Sequence, residues 1–353
     1  MSIKAAIIGY GGMGSFHAHQ IKQITSIEVA SVYDINPERL TTAKNDGYKT
    51  YETLIDCLSD TKIELVIIAA PNNAHHPISL AALNAGKNVI CEKPAMMNAN
   101  ELQEVLETAK KQQKIFTVHQ NRRWDKDFNI VKQALSQKII GDPFYIESRV
   151  QGSKGVPGDW RCVKEAGGGM LLDWGVHLLD QILCLTDSRI TEIYAHLLHV
   201  KFKEVDDNFK VLLKFENNLS VLIEVDTYTF IPLPRWHIST DSGTLVINGW
   251  DCNGKIVKAN LVEFKWEEGI VFTSAGPTKT MAPRPVETVE ELPLPECNPD
   301  CKDYYNNVAA AIKGEAPLIV TPAQAMRVMK IIDAIVKSAE TGECIKDADI
   351  GKP

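Results

Sequence analysis

The sequence predicts an α/β fold in two domains: a parallel sheet covered by helices on both faces, then an α+β region of mainly antiparallel strands. Three observations predict it. The chain has 353 residues, too many for one ordinary core and comfortable for two domains at about 100–200 residues each. Its first third alternates short, continuously apolar runs with longer amphipathic ones, the pattern of strands buried on both faces of a parallel sheet. After about residue 121 the runs change to period-two alternation, which fits half-buried antiparallel strands. The expected domains are therefore 1–121 and 122–353.

Each element follows from its own run. IKAAIIG (3–9) is apolar and β-branched, hence a buried strand. Residues 15–24 have helical spacing; IEVASVYD (27–34) and ELVIIAA (64–70) are further strands. HHPISLAALNAG (75–86) is a helix that stops at Gly86, a favoured C-terminal residue. NVICE (88–92) is a strand, 98–113 a helix and IFTVHQ (115–120) a strand. Right-handed crossovers leave such a sheet little topological freedom. In the second domain a helix is expected over 125–138, ending at Gly141-Asp142-Pro143. A Gly-rich loop (152–160) and a helix over 168–185 come next, followed by five alternating runs. Two helices near 301–313 and 322–340 close the chain, the second opening with Thr321 as N-cap and Pro322 at the first helical position.

Composition narrows the class. Hydrophobic residues make up 44% and charged residues 24%, which are globular values. A net charge of −7 with no long basic run argues against a nucleic-acid partner. No apolar run approaches the roughly 20 residues of a membrane span. The N-terminus enters a strand and a Gly-rich turn at once, so no cleavable signal is expected. Eight scattered cysteines without a C-x-x-C pair read as reduced thiols, which points to the cytoplasm. No Cys, His and carboxylate set has metal-ligand spacing, so no metal is expected.

The first strand runs directly into Gly9-Tyr10-Gly11-Gly12-Met13-Gly14, a G-x-G-x-x-G that opens the first helix. Gly9 permits the tight turn, Gly11 lets backbone approach a pyrophosphate, and Gly14 lets helix pack on strand. The free N–H groups of the helix start then face the anion. A Gly-rich turn without a ligand is the alternative. A second element agrees with the first: Asp34 ends the second strand, 20 residues after Gly14. A carboxylate there accepts hydrogen bonds from ribose hydroxyls and repels a 2′-phosphate. The following Ile35-Asn36 offers no arginine for such a phosphate, so NAD is expected in preference to NADP. Asp34 could equally be a turn acid or the cap of a helix starting at Pro37.

Ligands of an open parallel sheet lie outside the carboxyl ends of its strands. Two clusters fall there: Ala70-Pro71-Asn72-Asn73-Ala74-His75 and Cys91-Glu92-Lys93-Pro94. Lys93, beside a partly desolvated crevice, is suited to polarise or deprotonate a substrate hydroxyl. Pro94 marks a fixed turn, by a trans or a cis bond. A third cluster is GGGMLLDWGVHLLD (167–180). If helical, Asp173 and His177 are i,i+4 neighbours, with Asp180 on nearly the same face. A carboxylate and an imidazole on an otherwise apolar helix need partners. An N-terminal acid plus a core histidine would also satisfy that. Glycines at 167–169 and Gly175 in mid-helix suggest a cofactor or substrate passing close by.

These pieces resemble the glucose–fructose oxidoreductase / inositol dehydrogenase / rhizopine-catabolism family, Gfo/Idh/MocA. The resemblance is carried by GYGGMG (9–14), PNNAHH (71–76), ALNAGKNVICEKP (82–94), HQNRRWD (119–125), DWR (159–161), residues 167–180 and 314–334, in the family's order. It implies a Rossmann dinucleotide-binding domain followed by an α+β domain with an open-faced, mostly antiparallel sheet. It implies hydride transfer at a secondary alcohol or carbonyl carbon of a sugar or cyclitol. It places Lys93, Asp173 and His177 around the reacting hydroxyl, and Asn121 and Arg122 against substrate. His75, Gln120 and the pair Trp160-Arg161 fall near the cofactor. The HQNRRWD form resembles the scyllo-inositol dehydrogenase and related sugar-oxidoreductase branch more than the branch with Met-Arg-Arg there.

The expected mechanism has His177, oriented by Asp173, taking the hydroxyl proton while Lys93 stabilises the developing charge. Which of the two is the formal base stays open. Two other readings compete: redox-neutral, NAD-dependent glycoside cleavage or epimerisation through transient oxidation, and a non-catalytic dinucleotide-sensing regulator. The remaining histidines have weaker claims, His17 and His19 pointing to different faces of one helix. Tyr228 and Trp236 could stack on a sugar, although packing suits them better. Val211, Leu213, Val221, Ile223 and Val225 suggest an exposed apolar sheet face, hence a homodimer or homotetramer through that sheet.

Overall fold

The computed structural model describes residues 2–260, 269–279 and 284–346. The first domain runs β1 (Ile3–Ile8), α1 (Gly12–Ile21), β2 (Ile27–Tyr33), α2 (Pro37–Asn45), β3 (Lys49–Thr50), α3 (Leu54–Ser59), β4 (Leu65–Ile68), α4 (His75–Asn84), β5 (Asn88–Cys91), α5 (Ala99–Lys111) and β6 (Phe116–Val118). All neighbouring strands pair in parallel, in the order β3-β2-β1-β4-β5-β6. Leu65, Val66, Ile67 and Ile68 are all fully buried, as a strand covered on both faces must be. The order reverses between β1 and β4, which opens the ligand crevice at their carboxyl ends. The helix α1 starts at Gly12 rather than at residue 15, because the glycine turn itself forms its first turn. Segments α2, β3 and α3 are short or weakly amphipathic and left no clear period in the sequence.

The second domain adds α6 (Lys126–Ser136), β7 (Pro143–Gln151), α7 (Val176–Leu183), β8 (Ile190–Leu198), β9 (Asn208–Phe215), β10 (Ser220–Asp226), β11 (Trp236–Thr240), β12 (Gly243–Ile247), β13 (Gly254–Ala259), the small hairpin β14 (Val271–Thr273) and β15 (Gly276–Thr278), β16 (Val289–Leu292), α8 (Lys302–Ile312) and α9 (Pro322–Thr341). Eight strands form one sheet, β16-β13-β12-β11-β7-β10-β9-β8, antiparallel except where β10 lies parallel to β7. The α9 start is a capping box between Thr321 and Gln324, with Pro322 at the first position.

The face argument for an oligomer is corrected here. Val211, Leu213, Val221, Ile223 and Val225 are buried, on the covered side of the sheet, where α9 packs against β8. The other side carries ions: Glu224 accepts from Lys210 at 3.1 Å and from Gln151 at 2.9 Å, and Arg149 pairs with Glu147 at 2.6 Å. Alternation told which residues share a face but not which face the helices cover.

The last two helices return to the first domain. Tyr305 of α8 meets His17 of α1 at 2.8 Å, and Thr117 of β6 donates to the carbonyl of Val320 at 2.8 Å. On its other side α9 holds the second sheet, where the Ala195 amide donates to Ser338 at 3.0 Å. Both sheets are thus tied to the same helix pair, which fixes the cleft between them. All eight cysteines are unpaired, and among the described residues no helix is long and apolar enough to cross a membrane.

Candidate active site

Gly9 sits at φ +93°, and a Cβ there would stand 2.4 Å from the carbonyl oxygen of Ala69. Only glycine lets β1 turn this close to β4. A Cβ on Gly14 would meet the Gly9 carbonyl at 1.9 Å, so that position is set by helix–strand packing, as its place in the motif predicts. Gly11 and Gly12 differ: no protein atom lies within 4 Å of either added Cβ. The outer side of the turn is bare backbone at a helix start, followed by Met13, a cradle for an anion. Asp34 is fixed against it. Its carboxylate accepts the Tyr10 amide at 2.6 Å and the Asn36 amide at 2.8 Å. The cap of α2 is Asn36, not Asp34, since Asn36 accepts from the Glu38 amide. Ile35 beside it is 90% exposed, an apolar surface at the rim of the crevice.

The two clusters after β4 and β5 are stitched together. The ring nitrogens of His75 lie 2.8 Å from the Pro94 carbonyl and 3.0 Å from the Ala70 carbonyl, and burial pushes its pKa down. His75 therefore braces Ala70-Pro71 against the Lys93-Pro94 turn, whose peptide bond is cis. Asn72 is buried and donates to the Gly167 carbonyl at 2.7 Å, joining the first domain to the second.

Lys93 crosses that junction. Its ammonium donates to the Asp173 carboxylate at 2.7 Å and to the Asp173 carbonyl at 3.0 Å. Arg161 donates to the other carboxylate oxygen at 3.2 Å, and its guanidinium lies over the Trp160 ring at 4.6 Å. Burial alone would raise the Asp173 carboxyl; the Lys93 and Arg161 charges outweigh it and hold the carboxyl below its ordinary range.

The segment bearing Asp173 and His177 departs from expectation. Leu171–Gly175 is a π-helical turn, and α7 begins only at Val176. The wider turn breaks the i,i+4 relation: Asp173 turns to Lys93 and Arg161, and no hydrogen bond joins it to His177. His177 instead packs on Trp174, ring centroids 5.9 Å apart, with a buried Nδ1 that has no hydrogen-bond partner. Burial, then the Lys93 and Arg122 charges, hold its pKa well below the ordinary histidine value. A neutral imidazole beside an ammonium results. Asp180 does not join them; it accepts two hydrogen bonds from Arg123, at 2.7 and 2.6 Å.

The glycines around this turn also have another cause than a passing ligand. An added Cβ at Gly167 would strike Asn72 and Met97, one at Gly168 the Arg161 carbonyl, and one at Gly169 the Asp206 carboxylate at 2.2 Å. Gly175 faces Leu171 and Phe209. The close neighbours are protein. Asp206 is a residue the sequence did not offer: its carboxylate accepts the Leu171 amide at 2.7 Å, at the start of the turn. Burial lifts its pKa to about 7.

Gln120 is buried with its side-chain oxygen unpartnered. Asn121 opens a short 3-10 turn, Asn121–Trp124. Arg122 stacks over Trp174 at 4.6 Å and Trp250 at 5.4 Å, pairs with Asp125 at 3.1 Å, and leaves a buried Nε without a partner. Trp236, by contrast, is core: fully buried, its indole N–H donating to Asp127.

Glu92 is buried between His17 and His119. Its carboxylate meets His119 at 2.7 Å and His17 at 3.0 Å, and accepts the Lys93 amide at 3.2 Å. Burial opposes its ionisation, but His119 and His17 outweigh that and hold the carboxyl well below its ordinary range. Burial depresses His17. Sequence spacing showed no metal-type cluster, yet these three residues converge, with ligand atoms within 4.8 Å of one another. Tyr305 lies within hydrogen-bond distance of both imidazoles, so every ring nitrogen has a protein partner. The cluster reads as a brace behind Lys93.

A dinucleotide fits what is present: bare glycine backbone at a helix start, Asp34 beside it, and unpartnered buried atoms on Gln120 and His177 at the far end. The comparisons agree with this geometry. Residues 3–120 match the model of an oxidoreductase family with an NAD-binding Rossmann fold, and residues 128–246 match the GFO/IDH/MocA C-terminal domain. The crystal structure of an NAD-binding protein from Listeria innocua is 41% identical, with a TM-score of 0.89, over 99% of this chain and 98% of that one. The scyllo-inositol 2-dehydrogenase (NADP(+)) IolW of Bacillus subtilis is 26% identical over 344 residues, 96% of this chain and 94% of that one. An uncharacterized oxidoreductase of Schizosaccharomyces pombe is 33% identical over 222 residues, 60% of each chain. With a parallel nucleotide-binding sheet, a second open sheet and a lysine and carboxylate meeting between them, the chain belongs to the Gfo/Idh/MocA oxidoreductase family.

Proposed function

We propose that this chain transfers a hydride reversibly between a nicotinamide dinucleotide and a secondary alcohol or carbonyl carbon of a sugar or cyclitol. The observation that carries the reading is the Lys93 ammonium, brought from the first domain to 2.7 Å from Asp173 of the second, beside the neutral His177. The bound dinucleotide would supply the hydride acceptor. Gly11, Gly12 and Met13 would hold its phosphates, Asp34 and Ile35 its adenosine, and Gln120, Trp160 and Arg161 its nicotinamide end. Lys93 donates a hydrogen bond to the substrate oxygen and stabilises charge developing there. His177 accepts the hydroxyl proton as a neutral base, its acidity set by burial and by the Lys93 and Arg122 charges rather than by Asp173. Asp173 positions Lys93. Asn121 and Arg122 flank the substrate side.

NAD is the proposed nucleotide. The Asp34 carboxylate, fixed by two backbone amides, has oxygen lone pairs left for ribose hydroxyls and would repel a 2′-phosphate. The Bacillus relative is NADP(+)-linked by name, so this is a claim about Asp34 in this chain. The test is a spectrophotometric panel of cyclitols, aldoses and keto-sugars with NAD⁺, NADP⁺ and both reduced forms, on the wild type and Asp34→Ala. Reduction of NAD⁺ by at least one cyclitol or sugar, weakened in Asp34→Ala more than with NADP⁺, is expected. No change in nicotinamide absorbance across the panel would refute the reading.

A further inference from the structure

A cleft opens beside Asp173. Its lining includes Trp174, Arg122, Lys154, Asp226 and Trp250, and it measures about 660 Å³. Clefts of about 300–1,000 Å³ take ligands of drug size. A single hexose or cyclitol is smaller than that, so one ring fills only part of it.

One wall of it offers a surface for a ring. Trp250 sits on the tight turn between β12 and β13 and is 51% exposed. Its indole is held by the guanidiniums of Arg122 at 5.4 Å and Arg235 at 5.3 Å, and by Trp174, centroids 5.8 Å apart; Arg122 and Trp174 line the cleft with it. A half-exposed indole fixed on a hairpin and lining the cleft offers it apolar surface. The same cleft is lined by the polar side chains of Gln151, Ser153 and Thr227. The charged lining balances, Arg122 and Lys154 against Asp173 and Asp226, which favours an uncharged ligand. An apolar platform ringed by hydroxyl partners, with no net charge, matches the face of a pyranose.

We propose that this region is a second-ring subsite, so that the substrate is a disaccharide whose reacting ring lies at Lys93 and His177 while the other stacks on Trp250. The proposal rests on the hydride-transfer reading above for the reacting ring, but the subsite can be tested separately. The probes are glucose, myo-inositol and scyllo-inositol as single rings, and cellobiose, maltose and trehalose as double rings. Each is assayed with NAD⁺ on the full chain, and its binding is measured by calorimetry. At least one two-ring probe should exceed glucose in kcat/KM by about tenfold, the scale of one aromatic stack. Trp250→Leu should erase that preference through KM, and Trp250→Phe should keep most of it. The proposal is overturned if the ratio of two-ring to one-ring kcat/KM is the same in wild type and Trp250→Leu, or if no two-ring probe binds better than glucose. If a two-ring probe binds in a Trp250-dependent way but no hydride moves, the subsite stands and the hydride-transfer reading falls.

Discussion

Asp206 gives the most quantitative prediction. The residue is 9% exposed, and its carboxylate accepts the Leu171 amide at 2.7 Å, at the start of the turn that carries Asp173. Burial lifts its pKa from 3.8 to about 7, against the pull of the backbone donors at Leu171 and Met170. In the unfolded chain the group ionises near its ordinary value. Between those two pH values only the folded state holds the proton, so stability falls as pH rises. The contribution is complete below about pH 4 and lost once pH passes about 7. At about 1.4 kcal/mol per unit, the whole interval is worth about 4 kcal/mol, and the part between pH 5 and pH 8 about 3 kcal/mol. Asp206→Asn keeps an oxygen for the Leu171 amide but cannot titrate. Urea unfolding at pH 5 and pH 8 should show the wild type losing about 3 kcal/mol more than the variant over that span. Parallel behaviour of the two proteins would refute the placement of a buried, protonated carboxyl under this turn.

Three further outcomes are expected. Gly11→Ala should fold like the wild type, since its Cβ meets no protein atom, yet lose dinucleotide affinity about tenfold or more in a calorimetric titration. Gly14→Ala should instead lose about 1–3 kcal/mol of stability, because its Cβ would lie 1.9 Å from the Gly9 carbonyl; equal melting temperatures for the two variants would contradict this contrast. Glu92→Gln should cost about 1–3 kcal/mol in urea unfolding, since an amide cannot accept from His17, His119 and the Lys93 amide together; unchanged stability would remove the brace.

Much of the fold was legible because it is local. Buried parallel strands such as LVII (65–68) need continuous apolar runs, and the glycine turn needs its spacing wherever it occurs. Lys93 was legible for the same reason, as a strand end in a parallel sheet. What was not legible depends on three-dimensional convergence or on one inserted residue. The π-helical turn at Leu171–Gly175 changes where Asp173 points without leaving a mark in the apolar pattern. His17, Glu92 and His119 come from α1 and the ends of β5 and β6, so no spacing rule joins them. Asp206 lies 35 residues from the amide it caps. Trp250 stands on a turn, where periodicity is silent, whereas Trp236 sits in a strand and went to the core.

The central claim is that Lys93 and His177, from two domains, act on one carbon–oxygen bond beside the dinucleotide. The most direct measurement is the single-turnover rate of nicotinamide reduction in Lys93→Ala and His177→Ala at saturating NAD⁺, with calorimetric NAD⁺ binding on the same preparations. Each variant should still bind NAD⁺ and should lose about 10²-fold or more in rate, the scale of a positioned acid–base group. Wild-type rates in both variants would contradict the assignment.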